Sequence, residues 1–95
     1  MSTRGQRRLG ITGILSDKTL IQTGPCAIYW LTVSTAIALN MELNDSTDNN
    51  GTDAWAIILP AGGYAHYIFD PPIQFRDGVY LDVSGTSCKI IMGFE

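Results

Sequence analysis

The side chains that could do chemistry are few and far apart. His66 is the only histidine in the chain. To serve as a base it needs a nucleophile and an orienting acid within reach. Asp70 is the acid next along, and the stretch between them reads as extended chain, so a shared site is not expected. Cys26 and Cys88 are the only two cysteines and lack metal-site or redox spacing. They read as two free buried thiols, and a disulfide between adjacent strands is the alternative. The acidic segment Asn44–Asp53 invites a calcium reading. With Gly51 at the sixth position of a helix–loop–helix calcium loop, the first ligand position falls on Ser46 and the twelfth on Ile57. Neither supplies a carboxylate, so a plain turn is expected there. Gly62-Gly63 lacks the context of a phosphate-binding loop. No catalytic residue, cofactor-binding residue or metal ligand is assigned, and the protein is expected not to be an enzyme.

The elements around these residues read as strands. Val79, Leu81 and Val83 alternate with Tyr80, Asp82 and Ser84; Cys88, Ile90, Met92 and Phe94 alternate with Lys89, Ile91 and Gly93. Two period-two runs joined by Ser84-Gly85-Thr86-Ser87 predict a half-buried terminal hairpin. Upstream, Leu9 to Leu15 reads as a weak strand, Thr19 to Thr23 as a short one and Cys26 to Ile37 as a long one. Ala38 to Asp45 alternates, with Leu39, Met41 and Leu43 on one face. Ser46 to Thr52 is a loop, Asp53 to Leu59 a strand and Pro60 to Gly63 a turn. Tyr64 to Phe69 is a strand that Asp70-Pro71-Pro72 should stop, with Gln74 to Gly78 a connection. No sustained helical periodicity appears. The expected fold is all-β: a single-domain antiparallel β-sandwich, jelly-roll-like, or a barrel, of about 7–8 short strands.

Charge divides the chain in two. Residues 1–8 contain Arg4, Arg7 and Arg8 and no acid, whereas the rest carries three basic residues against nine acids. A basic, flexible N-terminal arm over 1–8 and a sandwich domain over 9–95 are therefore expected. The acidic body disfavours nucleic acid as a partner. No run approaches the roughly 18 apolar residues of a membrane span. No apolar signal segment follows the basic start, so synthesis and assembly in a cytoplasm are expected.

The chain is 45% hydrophobic and only 16% charged. Several strands carry large apolar residues at both parities, although a two-layer sandwich buries one face per strand. The surplus predicts a covered surface and an oligomer, with a trimer as the expected form. Arg4, Arg7, Arg8, Trp30, Trp55 and Tyr67 are the expected partner-binding residues, because Tyr, Trp and Arg suit interface anchors.

Seven phrases carry a likeness: LTVS (31–34), LND (43–45), NNGTD (49–53), LPAGG (59–63), FDPPIQF (69–75), GVYLDVSGT (78–86) and IIMGFE (90–95). In these the chain resembles small β-rich bacteriophage virion proteins over about three quarters of its length. The resemblance implies a structural component of a particle, foremost a capsid decoration or cement protein that binds itself and the major capsid protein or another virion protein. A tail, adaptor or fibre-associated protein is one alternative. A carbohydrate-binding sandwich for host adhesion, with Trp30, Trp55 and Tyr80 as an exposed platform, is another.

Overall fold

The computed structural model describes residues 10–95. Eight strands follow one another: β1 Gly10–Ile11, β2 Thr19–Thr23, β3 Cys26–Thr35, β4 Leu39–Asp45, β5 Thr52–Leu59, β6 Tyr64–Phe75, β7 Gly78–Val83 and β8 Cys88–Phe94. They form two four-stranded sheets, ordered β1-β8-β3-β6 and β2-β7-β4-β5, with every pairing antiparallel. Four of these pairs are nested: β4 with β5, β3 with β6, β2 with β7 and β1 with β8. The chain is thus one long hairpin rolled over on itself, which is the jelly-roll winding of an all-β sandwich.

The core lies between the sheets. Leu31 and Val33 of β3, with Ile90 and Met92 of β8, face Leu39, Met41 and Leu43 of β4 and Val79, Leu81 and Val83 of β7; all are buried. These are the apolar halves of the alternating runs, so the sequence pattern and the buried face coincide.

Three sequence expectations change. β7 and β8 are not a hairpin: β7 pairs with β2 and β4, and β8 with β1 and β3. Residues 84–87 therefore cross from one sheet to the other. Alternation fixes which face a side chain takes, but a sandwich corner and a hairpin turn both read as a break with glycine. Second, Asp70-Pro71-Pro72 does not stop β6, which runs on to Phe75. Its register against β3 steps from Trp30↔Ile68 to Ile28↔Ile73, so residues 69–72 lie opposite Tyr29 alone. The prolines, on a strand at the sheet's edge, sit in this bulge, where ladder hydrogen bonds are not required of them. Third, the weak strand over 9–15 shortens to Gly10–Ile11 with an isolated bridge from Leu15 to Ile90. The expected basic arm, with Arg4, Arg7 and Arg8, lies outside the described residues.

Asp45 ties the end of β4 to the turn between β6 and β7. Its carboxylate accepts hydrogen bonds from the backbone N–H of Asp77 at 2.8 Å and of Arg76 at 3.0 Å. These bonds hold its carboxyl below the ordinary aspartate value, the Asp77 bond most of all. Gly78 follows with φ of 150°, and a side chain there would strike the Gln22 and Ser46 carbonyls. Only glycine fits that approach.

Candidate functional site

The bulge at Tyr29 decides which way Trp30 points. In unbroken alternation Cys26, Ile28 and Trp30 would share the core face. The register shift between Ile28 and Trp30 instead turns Leu31, Val33 and Thr35 inward and Trp30, Thr32 and Ser34 outward. Cross-strand neighbours share a face, so the register gives three outward rows about Trp30 on the β1-β8-β3-β6 sheet, with Glu95, Ala27 and Gln74 as the row beyond the bulge. One holds Lys89, Ser34 and Tyr64, and the next Ile91, Thr32 and His66. The third holds Ile11, Gly93, Trp30 and Ile68.

This surface is exposed and mixed: the Trp30 row is apolar, while Thr32 and His66 stand in the middle row and Ser34 and Lys89 in the end row. Tyr64 is 82% exposed, Ile68 75% and Ile11 68%, while Trp30 and Ile91 are half-buried. Trp30 lies across Gly93, where any Cβ would fall inside the indole. The ring is held against the sheet by a missing side chain. His66 stands beside it, ring centroids 6.3 Å apart, and its Nδ1 shares a 2.6 Å hydrogen bond with the Thr32 hydroxyl. Tyr29, Ile68, Asp70 and Pro72 join Trp30 and His66 around an open groove of about 590 Å³. Two carboxylates stand at the border of these rows: Asp70 lines the groove, and Glu95 accepts a hydrogen bond from the Tyr29 hydroxyl.

The other predicted anchors lie elsewhere. Tyr67 is opposite inward-facing Leu31, and Trp55 opposite inward-facing Leu43. Both turn into the sandwich at its open side, between the edge strands β5 and β6. There Trp55 meets Tyr67 edge-on at 5.5 Å and Phe69 at 5.8 Å, and Tyr67 stacks on Phe69. This trio closes the core, with Tyr67 still 40% exposed. Tyr80 pairs with Leu20 and Asn44 on the second sheet. The three aromatics expected to form one sugar platform therefore occupy three different surfaces. Ile68, Tyr64, Ile11 and Gly93 were not among the expected site residues. The alternation of Tyr64, His66 and Ile68 against Ala65, Tyr67 and Phe69 was a signal for the first two.

The outward face of the second sheet is acidic. Glu42 pairs directly with Asp82, and Asp53 lies nearby on β5. The Asp53 charge, then partial desolvation, the Asp82 charge and a hydrogen bond with Asp53 push the Glu42 carboxyl above its ordinary value. Lys18 lies 3.7 Å from Asp82 and offsets part of this. Among the described residues no group of three or more His, Cys, Asp or Glu is placed to hold a metal ion. Asn44 donates to Asp53, and its own Oδ1 is buried without a partner. Cys26 and Cys88 are free and buried, and burial pushes both thiols up.

Comparisons with protein-family models, with curated proteins and with solved structures find no match. The fold itself defines the class: a two-sheet antiparallel jelly-roll sandwich.

Proposed function

We propose that this chain is a non-enzymatic structural component of a bacteriophage particle, of the capsid decoration kind, which works by docking onto copies of itself and onto a neighbouring shell protein. The observation that carries the reading is the group of exposed apolar side chains around Trp30 on the outward face, Tyr64, Ile68 and Ile11. Exposed apolar patches on a small sandwich mark contacts. Trp30 is seated before any partner arrives, which lowers the ordering cost of binding. The jelly-roll winding supports the reading because it is a common architecture of viral shell proteins. The placement in a phage rests on the seven sequence phrases.

Copy number tests it. Quantitative mass spectrometry of purified particles encoding this chain should find hundreds of copies per particle. A few to tens would move the protein to the tail or an adaptor. Its absence from purified particles would overturn the reading.

A further inference from the structure

We infer that the groove beside Trp30 is an arginine-binding site, and that its occupant is Arg4 of the same chain. The inference does not depend on the particle reading. The groove joins an aromatic wall, Tyr29, Trp30 and His66, to a single formal charge, the carboxylate of Asp70. Asp70 is exposed and makes no ion pair among the described residues. That combination suits a cation with a flat body. A cation over the face of a tryptophan is attracted by the ring's quadrupole. Guanidinium is planar, so it stacks on an indole while its N–H fork donates to a carboxylate; a lysine ammonium is a strongly hydrated point charge. Both walls are in place without a ligand. The Trp30 ring rests on Gly93, and the His66 ring is tied through Nδ1 to the Thr32 hydroxyl.

Charge and position select the occupant. Residues 10–95 carry nine acids against Lys18, Arg76 and Lys89, whereas residues 1–8 carry Arg4, Arg7 and Arg8 and no acid. None of the described cations serves the groove: Lys18 lies beside Asp82, Arg76 near Asp45, and Lys89 in the end row away from Asp70. The described chain begins at the level of the groove. Ile11 shares a row with Trp30, and Gly10 pairs with Phe94 one step towards Glu95 and the bulge. From β1 it is two strands to β3 and three to β6, about 10–15 Å at about 4.8 Å per strand. Arg4 precedes Gly10 by six residues, about 20 Å of extended chain. A turn across the sheet takes about four residues, which leaves Arg4 as the arginine beyond it. So short a tether gives an effective concentration on the order of millimolar, enough for one side chain to fill a site that binds weakly in solution.

Heteronuclear NMR of the full chain at low ionic strength tests this. Arg4→Ser should move the resonances of the Trp30 indole N–H and of His66. Molar salt should move the wild-type resonances the same way, because it screens the pair. Asp70→Asn should cut the Arg4→Ser shift at Trp30 at least threefold, since the two changes remove one interaction. Asp70 is exposed, so that variant should keep the wild-type thermal melt. Acetyl-arginine amide added to the Arg4→Ser chain should restore the Trp30 and His66 positions, and should bind at least threefold tighter than acetyl-lysine amide. Resonances that ignore Arg4→Ser would overturn the inference, whether or not the added amide binds. So would a full Arg4→Ser shift in the Asp70→Asn background, or equal binding of the two amides. The shifts should be the same from micromolar to millimolar protein. Shifts that grow with concentration would mean that a second copy supplies the arginine, and would overturn the assignment to the same chain.

Discussion

On one sheet the outward rows around Trp30 hold Ile11, Tyr64, Ile68 and Ile91, with Lys89 at one end and Glu95 at the other; on the other sheet Glu42 and Asp82 face out together, with Asp53 nearby and Ile58 exposed beside Asn40. The inward faces of the same strands are alike, built of Leu, Ile, Val and Met. Both sheets satisfy the same core, so the core cannot explain why their outer sides differ. The difference lies at the surface: one side gathers carboxylates opposite one another, and the other keeps its carboxylates at the margin.

The comparison stands only if both faces are backed by one core. Removing residues 90–95 tests that most severely, because β8 lies between β1 and β3. The cut strips buried Ile90 and Met92 and half-buried Phe94. Each fully buried apolar side chain contributes about 1.5–3 kcal/mol, against a total stability of about 5–15 kcal/mol. The 1–89 fragment should be insoluble or melt without cooperativity. A soluble fragment with a cooperative melt would mean that β8 is peripheral.

Gly93→Val probes the apolar side alone. The new side chain must displace the Trp30 indole. Overpacking of this kind costs about 1–3 kcal/mol, read as a lower urea midpoint with an unchanged slope. Trp30 fluorescence should also shift towards that of a solvated indole. A neutral result would show that the ring is not seated on the sheet.

Two carboxylates of β4 sharpen the contrast on the acidic side. Asp45 is held below the ordinary aspartate value of 3.8 by its backbone donors. Its contribution is present above that pH and is lost as pH falls through its folded value. Asp45→Asn should cost about 1–2 kcal/mol at neutral pH and flatten the acid limb of a stability profile. Glu42 titrates in the opposite sense. Its folded value lies above 4.5, so the folded state holds its proton longer and stability falls as pH rises through that window. Glu42→Gln should raise the thermal midpoint slightly at pH 7 and have no effect below pH 4. A drop in the midpoint would mean that the carboxylate row is not self-repelling.

Much of the fold was readable because burial follows alternation. Thr19–Thr23 was read as a strand with the bounds it has, and β7 and β8 were read with their correct buried faces. Pairing partners were not readable. Residues 84–87 break the pattern equally well as a turn within a sheet or a crossing between sheets, and only the three-dimensional packing decides. The site was half readable. Trp30 was named, but its outward turn depends on an extra residue at Tyr29, and its seat depends on Gly93 being its cross-strand neighbour. Trp55 and Tyr67 were named for their size, yet edge strands β5 and β6 use them to seal the sandwich.

The nested pairing also orders events in time. Asp45 and Thr52 meet across a short loop, whereas Gly10 must find Phe94 at the far end of the described chain. Loop closure is least costly for the innermost pair, and each pair formed shortens the effective loop for the next. The chain should therefore zip from the β4–β5 tip outwards, at the millisecond-to-second pace of folds dominated by distant contacts. Until β8 pairs with β3, that ten-residue strand keeps a bare edge. In that interval a nascent copy is most exposed to pairing with the wrong chain, so the final closure limits how densely the protein can be made.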